Sequence, residues 1–219
     1  MLSTFLSSFV AAFVTLFIVI DPIMVTPIFA ALTQNDSRKK QRRIALQASL
    51  IAAGVLTFFA LLGSGMLHHL GISMAAFRTA GGILLFLMGF RMFFEPEGEL
   101  DAKTPGPKAS ARDNIAFFPI ALPLLAGPGA IATIMLLMNG EDGISGAEKV
   151  AVQAGALTAV YATLLTGLVI MAFAGRIAHA LGRTGMNMIS RLLGMLLMAL
   201  STQYIFDGVR IGILERVAA

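Results

Sequence analysis

The chain has 219 residues, of which 57% are hydrophobic and 13% charged, and its mean hydropathy of +0.84 lies outside the balance of a water-soluble domain. It carries a net charge of +4 and no cysteine, which excludes disulfides, thiolate metal sites and thiol relays, membrane-embedded disulfide transfer among them. The basic residues sit beside apolar stretches, where membrane topology accounts for them and nucleic-acid binding does not, and no Gly-x4-Gly-Lys-Ser/Thr phosphate loop is present.

A hydrocarbon core about 30 Å thick takes about 20 apolar residues per helix. The charged residues leave six windows of that size: 4–32, 44–70, 75–95, 114–138, 150–174 and 189–210. The expected fold is all-α, a polytopic membrane protein of six transmembrane helices with short loops that leave no room for a catalytic or nucleotide-binding domain. An enzyme is not expected. The first window reads as a retained helix rather than a cleaved leader, because no Lys or Arg precedes it and Arg38 follows it.

The first window holds Asp21, Pro22, Thr26 and Pro27 and is followed by five basic residues, Arg38, Lys39, Lys40, Arg42 and Arg43. Arg78, at the start of the third window, is counted with the loop between the second and third helices. After the third comes a stretch rich in Glu, Pro and Gly, which neither packs nor propagates a helix and reads as a linker over 96–112. Counting Lys and Arg in alternate loops gives twelve against four. The positive-inside rule puts the twelve, and hence the linker, in the cytoplasm and both termini outside.

The linker divides the chain into 1–95 and 113–219, each with three expected spans. An odd number of spans makes the second half enter the membrane in the opposite orientation. Similarity between the halves supports a duplication. Ile20 to Pro27 and Ala121 to Pro128 both carry prolines five residues apart, at Pro22 and Pro27 and at Pro123 and Pro128. Leu46-Gln47-Ala48 matches Val152-Gln153-Ala154, His68 to Gly71 matches His179 to Gly182, and Arg78 to Gly81 matches Arg191 to Gly194, all in the same order.

Proline lacks an N–H, so in a helix Pro22 and Pro27 deprive the carbonyls of Ile18 and Ile23 of their donors, and Pro123 and Pro128 do the same to Pro119 and Leu124. In lipid such groups are tolerated only where protein or a water-filled cavity surrounds them. Gly127 and Gly129, either side of Pro128, reinforce the second break. Paired breaks in two inverted halves point to a transporter's midplane site, whose half-helix ends hold a carboxylate at their N–H groups and a cation at their carbonyls. Simple kinking of packed helices is the plainer alternative. The substrate-site candidates are therefore Asp21, Pro22, Thr26, Pro27, Pro123, Gly127, Pro128 and Gly129.

Asp21 is the acidic residue placed deep in an apolar window, near mid-membrane by chain count. An ionisable group there suggests a proton relay, a partner for a substrate ammonium or a coupling sodium ion. It also suits the cap of a helix that starts at Pro22. Thr133, Gln47, Gln153, Ser201, Thr202 and Gln203 line a path or join helices by hydrogen bonds. His68, His69 and His179 lack nearby carboxylates and make a poor metal site. Gly81, Gly82, Gly89 and Gly194 allow close helix approach, and Met186, Met188, Met195 and Met198 suit packing.

The run from Asp21 to Phe29, together with Pro123 to Ile131, resembles the MarC family of bacterial integral membrane proteins, which pairs an Asn/Asp-Pro-x4-Pro-x-Phe pattern in helix 1 with Gly-Pro-Gly in helix 4. The resemblance covers nearly the whole chain. It implies a bacterial inner-membrane location and transport of small neutral amino acids such as glycine and alanine, with Asp21 to Pro27 and Gly127 to Gly129 at the substrate site. Met24-Val25-Thr26 stands where members often have a glycine-containing run, which alters the expected pocket. The expected partners are thus a small neutral amino acid, membrane lipid and, in a homo-oligomer, a second copy. No cofactor is expected beyond a coupling proton or sodium ion. A passive pore, a drug efflux protein and a non-transporting assembly partner are the rival classes.

Overall fold

The structure is a computed structural model that describes residues 2–33, 36–94, 115–139 and 146–217. The linker expected over 96–112 lies outside the described residues, as do the side chains of Pro27, Pro123 and His179. Eight helical segments follow in order: α1 (Leu2–Ile20), α2 (Pro22–Thr33), α3 (Arg38–His69), α4 (Met74–Phe94), α5 (Ala116–Leu125), α6 (Pro128–Asn139), α7 (Ala147–Ala172) and α8 (Ala174–Val217).

Among the described residues five stretches are long and apolar enough to cross a membrane: Leu2–Ile20, Arg38–His69, Met74–Phe94, Ala147–Ala172 and Asn187–Ile213. Two expected spans are built differently from continuous helices. The window 4–32 is two helices, of which the nineteen-residue α1 reaches about 28 Å at 1.5 Å per residue and so suffices to cross alone. Asp21 divides the expected window into these two helices. The window 114–138 is a ten-residue α5 followed by a twelve-residue α6, each too short to cross.

Leu50, Leu61, Leu165 and Phe206 are each more than half exposed. Large apolar side chains spread over an outer surface fit hydrocarbon solvent, in which they need no burial. Inside, Leu16, Leu56, Leu85, Ile120, Ile134 and Leu197 are fully buried in one continuous core.

Helices α4 and α8 approach closely at their glycines. A Cβ on Gly89 would meet the carbonyl oxygen of Gly194 at 2.7 Å, and one on Gly194 would meet that of Gly89 at 2.8 Å. At Gly82 a Cβ would meet the Ser201 carbonyl oxygen at 2.9 Å. Small residues let the backbones touch, and dispersion between them replaces a hydrophobic effect that lipid does not supply.

Elsewhere α1 packs on α7, α5 on α3, α2 on α7 and α8, and α6 on α3 and α4. Exchanging the first four segments for the last four turns each of these pairs into another of them. The matched glycines Gly71 and Gly182 agree in conformation too, with φ of 69° and 60°; one turns α3 into α4 and the other bends α8. Positive φ is easily reached only by glycine, so both positions are set by sequence.

Candidate functional site

The first break is a single residue. Asp21 donates its N–H to the Phe17 carbonyl oxygen at 3.0 Å, closing α1, and then takes φ 45°, the left-handed region. Its carbonyl oxygen accepts from the N–H groups of Met24 and Val25 at 3.1 and 3.3 Å, and its Oδ1 accepts from Met24 N–H at 3.2 Å. Asp21 is thus the cap of α2, with Pro22 at the first helical position, where its missing N–H costs nothing. The carboxylate is only 5% exposed. Pro22 is buried against α7, where a Cβ on Gly167 would lie 3.5 Å from the Pro22 Cβ.

The second break follows a different winding. Pro119 and Pro123 deny α5 its α-helical donors, and the segment is a π-helix whose last bond runs from the Ala126 N–H to the Ala121 carbonyl oxygen at 2.9 Å. Gly127 then offers its carbonyl oxygen to the Ile131 N–H at 3.0 Å, and Pro128 opens α6.

These endpoints change the register of the repeat. The shared geometry is a helix break followed by proline at the first position of a twelve-residue helix, which equates Pro22 with Pro128 and Asp21 with Gly127. Alignment of the two proline pairs had set Pro22 against Pro123 and Asp21 against Leu122. Pro27 falls inside α2 and Pro123 inside α5, so one proline of each pair starts a helix and the other is carried within one. A glutamine from the next helix secures the far end of each short helix: Gln41 Nε2 donates to the Thr33 carbonyl oxygen at 2.8 Å, and Gln153 Nε2 to that of Met138 at 3.2 Å.

Of the other site candidates, Thr26 is fully buried and donates its hydroxyl to the Pro22 carbonyl oxygen at 3.1 Å. Gly127 and Gly129 are buried, and a Cβ on Gly129 would meet Met88 Sδ at 2.7 Å, so a larger residue there must displace the Met88 side chain. Pro128 is exposed toward an apolar cavity of about 700 Å³, bounded also by Phe77, Gly81, Leu84, Ala126 and Ile131. Both breaks flank the same core, with Val19, Ile20 and Val25 on one side and Ala121, Leu125 and Ala126 on the other.

Three buried hydroxyls, those of Ser49, Thr133 and Thr163, have no hydrogen-bond partner. Buried polar atoms normally find one, so each needs an explanation. Thr163 is one turn before Gly167 on the face of α7 that meets Pro22, which sets an unused donor beside the first break. Thr133 lies in α6, five residues after the proline that opens it. Thr133 was a candidate from sequence; Thr163 and Ser49 were not, because threonine and serine inside apolar windows carry no signal of whether a partner exists.

Arg78 was also missed. Counted with the loop between the second and third helices it read as a topological charge, yet it lies within α4, is only 6% exposed and borders a second cavity of about 350 Å³ with Asp207, Tyr204, Ser7 and Ser8. Among the described residues no group of three or more His, Asp or Glu could hold a metal ion.

Spanning-length apolar helices, a lipid-facing apolar exterior and two discontinuous helices around a common core define a polytopic α-helical integral membrane protein. Residues 6–213 match the family described as MarC family integral membrane protein, and the chain belongs to it. It is 37% identical over 197 residues to a UPF0056 membrane protein of Aquifex aeolicus, covering 88% of this chain and 87% of that one. A UPF0056 membrane protein of Methanocaldococcus jannaschii is 34% identical, covering 88% and 91% of the two chains, and the UPF0056 membrane protein YhcE of Escherichia coli is 32% identical, covering 88% and 87%. No solved structure matches.

Proposed function

We propose that the protein is a secondary transporter of small neutral amino acids such as glycine and alanine, working by alternating access around a site at the two helix breaks. The observation that carries this reading is the repetition of one uncommon device: a helix stops, one residue caps the next, and a proline opens a short helix of twelve residues, once at Asp21-Pro22 and once at Gly127-Pro128. Exchange of the halves preserves the helix pairings, and this supports an inverted repeat, the architecture in which such breaks form a central site.

The two breaks offer different chemistry to one zwitterion. The amino-terminal turn of α6, capped by Gly127 without a side chain, suits a carboxylate, whereas the buried carboxylate of Asp21 suits the ammonium or a coupling proton or sodium ion. The unpartnered hydroxyls of Thr133 and Thr163 supply further polar contacts in an otherwise apolar surround. The twelve-to-four charge asymmetry supports an inner-membrane orientation with both termini outside.

The test is flux of labelled glycine and alanine into proteoliposomes of the purified protein, with and without imposed proton and sodium gradients. Saturable, gradient-dependent uptake is expected. Absence of saturable flux for every small neutral amino acid would overturn the reading, and flux that neither saturates nor responds to a gradient would make it a pore. For orientation, single cysteines at Lys40 and Lys149 are expected to label from opposite sides of the membrane.

A further inference from the structure

The outer surface formed by α3 and α7 carries a polar pair at a depth where lipid offers it nothing. Thr57 and Tyr161 stand near the middle of their apolar windows, 44–70 and 150–174, and their hydroxyl oxygens lie 2.8 Å apart. Tyr161 is half exposed, in company with the exposed side chains of Phe58, Leu61 and Leu165 on the same two helices. Tyrosine in membrane proteins is concentrated at the headgroup level, where its hydroxyl meets water. At mid-depth the solvent is hydrocarbon, which neither donates nor accepts a hydrogen bond.

Other threonines of the bundle, Thr33, Thr158 and Thr166 among them, return their hydroxyl to the carbonyl oxygen four residues earlier. Thr57 turns to Tyr161 instead, and neither residue makes a second hydrogen bond among the described residues. Two hydroxyls hold two hydrogens, and the bond between them spends one, whichever oxygen donates. One O–H and one acceptor oxygen are therefore left facing lipid. Beside them runs a groove of about 450 Å³, bounded by Ala53 and Gly54 as well as by Thr57 and Tyr161. The glycines between α4 and α8 are matched by a neighbouring backbone, whereas a Cβ on Gly54 would meet nothing within 4 Å. Ala53 and Thr57, one turn apart, are the small residues that let another helix come close.

We propose that this face binds a second copy of the chain about a two-fold axis along the membrane normal, with Thr57 and Tyr161 of both copies closing a ring of four hydroxyls. Copies inserted in the same direction and related by such an axis present the same patch to each other at the same depth. The unspent hydrogen of one pair then meets the unspent oxygen of the other, and each hydroxyl donates once and accepts once. An acyl chain has no group that can do this, and an unrelated helix would need a polar side chain at that one depth. The face uses neither helix break and is independent of the transport reading.

The absence of cysteine makes a direct test possible. Gly54→Cys and Leu61→Cys each place a single thiol one turn from Thr57, and Phe206→Cys places one on the exposed face of α8 as a control. The full chain in liposomes is oxidised mildly, and a band of twice the 23.1 kDa chain mass is measured at two lipid-to-protein ratios tenfold apart. Cross-linking at Gly54→Cys and Leu61→Cys is expected to persist on dilution, while that at Phe206→Cys falls with it, as random collision requires. Adding Tyr161→Phe, which keeps the ring and removes the hydroxyl, is expected to weaken the dimer about sevenfold, the worth of two hydrogen bonds between membrane helices. Gly54→Leu fills the groove from an exposed position and is expected to abolish cross-linking at Leu61→Cys; it serves as the second variant should Tyr161→Phe not fold. Cross-linking that falls with dilution at every position, equal persistence at Phe206→Cys, or a dimer indifferent to both Tyr161→Phe and Gly54→Leu would each overturn the proposal.

Discussion

Asp21 carries two separable loads, and substitutions divide them. Its Oδ1 caps α2 through the Met24 N–H at 3.2 Å, and its backbone holds φ 45°. Losing a side-chain cap costs about 1 kcal/mol, and forcing an ordinary side chain into the left-handed region costs about 1–2 kcal/mol. Asp21→Ala suffers both, for a destabilisation of about 2–3 kcal/mol. Asp21→Gly loses the cap side chain, for which glycine substitution costs a few tenths of a kcal/mol, while its backbone adopts φ 45° freely. Asp21→Asn retains an acceptor at Oδ1 and tolerates the left-handed region, so the charge is what it loses. The expected order of stability is Asn close to wild type, then Gly, then Ala. The assay is the heating midpoint for loss of monodisperse protein in detergent, at one scan rate because membrane-protein unfolding is often irreversible. Asp21→Asn is then carried into the flux measurement, where gradient-driven transport is expected to fall while the heating midpoint stays. An alanine variant as stable as the glycine variant would refute the strain account. An asparagine variant that transports normally under every gradient would leave Asp21 as a cap alone.

Three other outcomes follow from the packing. Gly89→Leu and Gly194→Val drive a side chain into the opposing backbone and are expected to cost more than the usual overpacking penalty of about 1–3 kcal/mol, read as lost yield of folded protein, whereas Gly54→Ala, with nothing within 4 Å of its Cβ, should be neutral or slightly stabilising. Thr163→Val removes a buried hydroxyl that has no partner and is expected to leave the heating midpoint unchanged or raised, by up to about 1 kcal/mol of stability, while raising KM for transport; a lower midpoint would mean that the hydroxyl is satisfied in the fold. Gln41→Ala and Gln153→Ala each remove a side-chain donor from the end of a short helix and should cost about 1 kcal/mol apiece, read as a lower heating midpoint.

Membrane class, helical content and the positions of the breaks were legible in the linear chain because each depends on local composition or on one residue's covalent chemistry. Apolar windows of about 20 residues follow from bilayer thickness, and proline ends or redirects a helix wherever it stands. Gly71 and Gly182 were legible as a match between the halves, although their shared positive φ came only with the structure. Gly82, Gly89 and Gly194 were legible as sites of close approach, although not the partner each would meet.

What only the tertiary structure decided is whatever depends on which helix lies beside which. Which proline of each pair opens a helix turned on the capping at Asp21 and on the π-winding that Pro119 and Pro123 impose on α5; this moved the repeat register by five residues, from Pro22 with Pro123 to Pro22 with Pro128. Whether Thr163 has a partner, or Arg78 meets solvent or a cavity, is a matter of neighbours more than fifty residues away in the chain. The sequence by itself determined where the backbone must stop being helical, because proline and glycine act through their own covalent structure. The assembly of helices decided which charges and hydroxyls those stops confront, because burial and polarity belong to contacts between segments and to no single residue.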